Sequence, residues 1–180
     1  MHISSNAMER GILQGDRSLL AKTLWQKVNP SQWPFSISAL PQGSALVGGF
    51  IRDELLGRNN FKRDLDLVVP SNSLILVRSL VRSFGGSCVV LDEERDIARW
   101  VLRDWIIDFA SQVGSSLKED LLQRDFRLNA IGLILDETNP EILDPSGGIE
   151  DLIKKKLVAV LEQNLVNDPL RMLRGLRLMA

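Results

Sequence analysis

The stretch Asp64-Leu65-Asp66-Leu67-Val68-Val69 alternates polar and apolar residues and is stopped by Pro70. On a β-strand successive side chains alternate faces, so Asp64 and Asp66 project together while Leu65 and Leu67 turn toward a core. Two carboxylates about 7 Å apart along one strand face repel each other, and burying either is costly. A divalent cation relieves that repulsion, and Mg²⁺ suits hard oxygen ligands, taking one or two protein carboxylates plus substrate phosphates. The plainer alternative is a half-buried strand whose polar side faces water.

Upstream, Ser44-Ala45-Leu46-Val47 reads as a short strand running into Gly48-Gly49, and Phe50 to Leu56 as a helix closed by Gly57. Glycines between a strand and a helix let backbone N–H groups approach a phosphate where the helix dipole favours an anion. This is not a Walker loop, since no Gly-Lys-Ser/Thr follows. Downstream, Ser71 is expected to cap a helix reaching Phe84, followed by strands at Ser87–Leu91, Ile97–Leu102 and Trp105–Phe109. The last of these holds Asp108 inside Ile106-Ile107-Asp108-Phe109, a lone carboxylate that is expensive there unless paired or bound to metal. Arg99 or Arg103 is available as an ordinary ion-pair partner. A glycine turn, an Asp-x-Asp strand and an apolar strand with a single Asp form the layout of a two-metal phosphoryl-transfer site.

Further out, residues 17–28 carry apolar residues at helical spacing, ended by Pro30, and residues 1–16 read as a flexible polar tail. A helix at Ser116–Leu122 precedes the apolar stretch Ala130–Leu135 and the strong turn Asp144-Pro145-Ser146-Gly147-Gly148. A short helix, a strand at Leu157–Leu161 and a last helix opened by Asp168-Pro169 complete an α/β (α+β) domain with a mixed sheet of about five strands.

The whole chain has 180 residues, one His, one Cys and a net charge of -1. That excludes an intrachain disulfide, a Cys/His zinc cluster and a uniformly basic nucleic-acid coat. Chemistry must therefore run on carboxylates, arginines and backbone. No apolar run approaches the roughly 20 residues of a membrane helix, and the start lacks the pattern of a signal peptide, so the expected location is cytoplasmic.

The motifs together resemble the class II tRNA nucleotidyltransferase/poly(A) polymerase family, within the polymerase-β-like nucleotidyltransferases, over about residues 44–180. Gly48-Gly49-Phe50-Ile51-Arg52-Asp53 resembles the family's Gly-Gly-x-x-Arg-Asp, and Asp64-Leu65-Asp66 sits where it holds its metal-binding pair. Arg124-Asp125-Phe126-x-x-Asn129-Ala130 is similar to Arg-Asp-Phe-Thr-x-Asn-Ala. Asp144-Pro145-x-Gly147-Gly148-x-x-Asp151-Leu152 matches a family turn, and Asn167-Asp168-x-x-Arg171 resembles Glu-Asp-x-x-Arg, which reads the base of the incoming CTP or ATP. Gln123, Arg127 and Asn167 depart from a usual Arg, Thr and Glu.

The resemblance implies a nucleotidyltransferase head over residues 17–166 and the start of a truncated helical neck at 167–180. Asp64, Asp66 and Asp108 would be catalytic and metal-binding, with Mg²⁺ as cofactor. Gly48, Gly49, Arg52, Arg124, Asp125, Asn129, Asp168, Arg171 and Arg174 would bind nucleotide. The implied partners are CTP, ATP and the 3′ end of tRNA or another RNA. Family members continue into body and tail regions, so the chain reads as a fragment or a short head.

Each role has a rival. Arg52 and Arg124 can pair with Asp53 and Asp125 in the fold, and Asn129 can cap a turn. Asp168 and Arg171, three apart on a helix, can form a surface ion pair. Residues 151–180 carry a local excess of three positive charges, which suits RNA phosphates or a solvated helix face. Trp25, Trp33, Trp100 and Trp105 are assigned mainly to the core. Functional alternatives are a non-catalytic nucleotide- or RNA-binding module of the same fold, a poly(A) polymerase, and a nucleotidyltransferase acting on a small molecule.

Overall fold

The computed structural model describes residues 8, 11–12, 14–58 and 63–179. Among these residues seven strands form one mixed sheet: β1 (Ala45–Val47), β2 (Asp64–Val69), β3 (Ser87–Asp92), β4 (Ile97–Leu102), β5 (Trp105–Ser111), β6 (Gly132–Ile134) and β7 (Glu141–Leu143). Their order is β3-β4-β5-β2-β1-β6-β7, with β2 and β5 parallel and the other neighbouring pairs antiparallel. The helices are α1 (Arg17–Val28), α2 (Gly49–Leu55), α3 (Ser73–Phe84), α4 (Leu117–Leu122), α5 (Gly148–Ile153), α6 (Glu162–Asn167) and α7 (Leu170–Met179).

The alternation in β2 decides how the two faces of the sheet are used. Leu65, Leu67 and Val69 bury with Trp100, Ile107 and Phe109 against Leu20 and Leu24 of α1, Ile51 of α2, and Val77 and Leu80 of α3. Each fully buried side chain of this size contributes about 1.5–3 kcal/mol, so this face carries most of the cohesion. On the opposite face a smaller cluster joins Ala45, Val47 and Val68 to Leu117 and Leu121 of α4. It covers only part of that face, and Asp64 and Asp66 stay exposed beside it.

Several expectations from sequence need correction. The sheet has seven strands rather than about five, because the apolar stretch 130–135 and residues 141–143 form a hairpin of three-residue strands. Strands that short carry almost no periodic signal. Leu157–Leu161 is not a strand: a single bridge joins Phe126 to Ala159, since Arg127–Asn129 turns into a 3-10 helix and offers no partner to extend the ladder. Ser71 does not cap α3. Asp96, far along the chain, accepts from the N–H groups of Ser73 and Leu74, both at 2.9 Å, while Asn72 occupies the helix start in a left-handed conformation. Burial pushes the Asp96 carboxyl up, but hydrogen bonds from Ser111, Leu74 and Ser73 outweigh it and hold the group below its ordinary pKa. Asp168 lies in extended backbone before α7, with its Oδ1 accepting from the Leu170 N–H at 3.2 Å, and α6 was not expected.

The expected tail, residues 1–16, falls largely outside the described residues. Of it, Met8 is buried in the main core and Ile12 packs against that core. Trp33 and Trp100 are buried there too, with Trp25 and Trp105 packed beside them. No helix among the described residues is long and apolar enough to cross a membrane.

Candidate active site

The uncovered part of the polar sheet face forms the floor of a cleft of about 1260 Å³. Sheet register places its central residues. In the parallel β2–β5 pair Asp66 lies opposite Asp108, and in the antiparallel β4–β5 pair Asp108 lies opposite Arg99. Residues directly opposite share a face, so Arg99, Asp108 and Asp66 make one row across three strands, with Asp64 two residues along β2.

Asp108 is fully engaged within that row. Arg99 donates from Nε to Oδ1 at 2.7 Å and from Nη2 to Oδ2 at 2.9 Å, a bidentate fork. Of the two arginines considered from sequence, Arg99 is the partner. Asp66 has no such relief. Its carboxyl lies above the ordinary pKa, first because the cleft walls dehydrate it and then because Asp108 faces it; Arg124 offsets part of this, and Asp64 adds to it.

Gly48 explains one glycine of the pair in physical terms. It sits at φ 77°, ψ -141°, and a Cβ there would stand 3.2 Å from Asp66 Oδ2. The position therefore needs glycine both for its backbone and for the close approach of Asp66. Gly49 opens α2 and, like Gly48, lines the cleft.

The wall above the carboxylates is a linked polar network. Arg52 donates to Asp53 Oδ1 from Nε at 2.9 Å and from Nη2 at 2.8 Å, and to Asn129 Oδ1 from Nη1 at 2.8 Å. Asn129 in turn donates to Asp125 Oδ1 at 3.3 Å. Asp125 is buried, also accepts from the Phe126 N–H at 2.7 Å, and receives Arg174 Nη1 on Oδ2 at 3.0 Å. Arg52 thus makes the Asp53 pair considered from sequence while still lining the cleft. Arg124 does not pair with Asp125: it donates to Asp120 Oδ2 from Nη2 at 3.1 Å, one helical turn back. Asp120 is itself buried and accepts from the Val113 N–H.

At the far end α7 leans over the cleft. Arg171 contacts Asp168 at 3.5 Å, donates to the Gln123 carbonyl at 2.7 Å, and lines the cleft with Arg174 and Arg177. Asp168 supports this end from outside the lining. Gln123 and Asn167 line the cleft, whereas Arg127 instead lies 3.9 Å from Asp151. The turn motif at 144–152 is structural: the Asp144 carboxylate accepts from Gly148 and Ile149 N–H at 2.7 and 3.0 Å, capping α5. Asp120 and Asn164 were not singled out from sequence. Asn164 donates to the carbonyls of Leu122 and Arg124, about forty residues away, and nothing local in the chain signals that.

Residues 44–158 match the family model described as the poly(A) polymerase head domain. The chain is 42% identical over 146 residues to the CC-adding tRNA nucleotidyltransferase of Synechocystis, covering 81% of this chain and 35% of that protein. It is 39% identical over 137 residues to the A-adding tRNA nucleotidyltransferase of Deinococcus radiodurans, covering 76% and 30%. A solved tRNA nucleotidyltransferase complexed with a primer tRNA and an incoming ATP analogue superposes with a TM-score of 0.63 at 32% identity, covering 74% of this chain and 40% of that one. The chain thus spans about a third of the length of these curated relatives. Matched by that model over residues 44–158, and 42% and 39% identical to these relatives over more than three quarters of its length, the chain belongs to the poly(A) polymerase head-domain family of nucleotidyltransferases.

Proposed function

We propose that the chain is the catalytic head of a template-independent tRNA nucleotidyltransferase, which moves CMP or AMP from CTP or ATP to the 3′-hydroxyl of tRNA and releases pyrophosphate. The observation that carries this reading is the pair Asp64 and Asp66, exposed on the floor of a cleft whose wall presents Arg52, Arg124, Arg171 and Arg174. Relatives named as CC-adding and A-adding enzymes support the substrate assignment.

No group of three His, Cys, Asp or Glu side chains converges as a ready-made metal site among the described residues. Two hard carboxylates on one strand face do meet the need of Mg²⁺, which draws its other ligands from substrate phosphates and water. The raised Asp66 pKa marks an unrelieved negative charge of the kind a cation neutralises. Asp64 and Asp66 would hold the metal, with Asp108 as the third carboxylate of the row. Mg²⁺ supplies, when bound, activation of the attacking hydroxyl and neutralisation of charge at the α-phosphoryl group, in the manner of two-metal sites.

The remaining work falls to the chain itself. Arg52 and Arg124 offer guanidinium forks to triphosphate oxygens, and the Gly48-Gly49 backbone leaves room for the nucleotide beside Asp66. Asp125 and Asn129 brace Arg52 and Arg174, so that both hold their places before substrate arrives. Arg171, steadied by Asp168 and the Gln123 carbonyl, presents donors to a base edge.

Labelled CTP and ATP, offered with Mg²⁺ and tRNA lacking its 3′ end, test the proposal on the complete protein, with any sequence that follows residue 180. Extension by one to three nucleotides, abolished by Asp66→Ala, is expected. Undiminished extension by Asp66→Ala, or nucleotide binding without incorporation, would overturn the catalytic reading in favour of a binding module.

A further inference from the structure

The Arg99 fork on Asp108 is the feature that the catalytic reading leaves unexplained. A carboxylate in line with Asp66 is a natural metal ligand, yet both of its oxygens are taken by the chain's own guanidinium. The pair is partly open to the cleft, with side chains 39% and 26% exposed, so neither partner is locked in by packing. A bidentate pair at a cleft floor that can reach water is one that an incoming divalent cation can challenge.

We propose that Arg99 is a positioning residue that competes with the divalent metal for Asp108. In the nucleotide-free site it withholds Asp108, leaving Asp64 and Asp66 as the carboxylates open to the cation. This inference rests on the assignment of Asp64 and Asp66 as metal ligands. It adds that the metal affinity of the resting protein is set by a neighbouring arginine as much as by the carboxylates. Asp108, released from Arg99, would add its charge to those of Asp64 and Asp66 and tighten the hold on a cation without nucleotide. With Asp108 occupied, the site is biased toward metal that arrives with phosphates.

Mn²⁺ titration followed by electron paramagnetic resonance, on the complete protein without nucleotide or RNA, separates the possibilities. Arg99→Gln frees Asp108 and should tighten Mn²⁺ binding by about tenfold or more, the scale on which one close charge shifts a carboxylate equilibrium. Arg99→Gln/Asp108→Asn removes the pair as a neutral unit and should bind Mn²⁺ within about threefold of the wild type, on the same scale of charge effects. Thermal melts of each variant confirm that the fold persists. Unchanged affinity in Arg99→Gln overturns the proposal, as does a tenfold or greater loss in the double variant, because Asp108 would then already be a ligand beside Arg99. Asp66→Asn is the control for the underlying assignment. If it binds Mn²⁺ as well as wild type, the metal assignment itself fails; if it loses binding while Arg99→Gln is unchanged, only the role of Arg99 fails.

Discussion

Asp125 is the joint between the two walls of the cleft, and replacing it tests whether the network is energetic or merely adjacent. Asp125→Ala removes the acceptor for the buried Phe126 N–H, the acceptor for Asn129 Nδ2, and the partner of Arg174. Asp125 is 3% exposed, so water cannot replace what is lost. Each orphaned buried donor costs about 1–3 kcal/mol, and breaking one member of a buried charged network costs about 3–5 kcal/mol in all. At about 2–4 °C per kcal/mol for a chain of this size, the melting temperature should fall by about 6–20 °C. Asp125→Asn keeps Oδ1 for Phe126 and Asn129 and loses the charge and the acceptor that Oδ2 offers Arg174. Because the Arg174 side chain is 53% exposed, screening reduces that loss to about 1 kcal/mol. Circular dichroism melts of the metal-free protein, with urea unfolding as a cross-check, measure both. Nucleotide titration should show weakened binding in both, since each releases Arg174. An Asn variant as destabilised as the Ala variant, or an Ala variant within about 1 kcal/mol of wild type, would refute the account of the network given by these distances.

Asp66→Asn should raise the melting temperature of metal-free protein at neutral pH. A carboxyl whose folded pKa is raised contributes stability below its ordinary pKa, and that contribution is lost as pH rises through the raised value. The gain from Asn should therefore shrink as pH falls toward the ordinary carboxylate range; a gain independent of pH would contradict dehydration by the cleft walls and the charge of Asp108 as the causes. Gly48→Ala should cost about 1–3 kcal/mol from its backbone conformation alone, a drop of about 2–12 °C in melts. The same variant should weaken Mn²⁺ binding, because its methyl crowds Asp66; unaltered binding would show that the close approach is dispensable.

The one-dimensional pattern settled those features that repeat within a few residues. The alternation in Asp64–Val69 sets which side chains meet the core, and a shift of one residue would have exposed Leu65 and Leu67 instead. Helix α1 appears where its apolar spacing places it, and α4 begins at Ser116 as expected; the Asp16 cap of α1 emerges only in the structure. Asp64, Asp66, Arg52, Asn129 and Arg174 were singled out through the short motifs that hold them, each with a structural rival. They do come together at one cleft.

Partners were decided only in three dimensions. From sequence Asp108 was a lone carboxylate with two candidate cations; the antiparallel register of β4 and β5 selects Arg99 by placing it directly opposite. Arg124 turns to Asp120 on its own helical side, leaving Asp125 to Arg174, forty-nine residues away. Asp96 caps α3 from another loop, and Asn164 ties α6 to the carbonyls of Leu122 and Arg124. Hydrogen bonds and ion pairs act over about 3 Å, and a chain says what could bond but not what will lie within that distance. Chemistry is written residue by residue, whereas the assignment of each charge to its partner depends on which strands and helices the core has brought side by side.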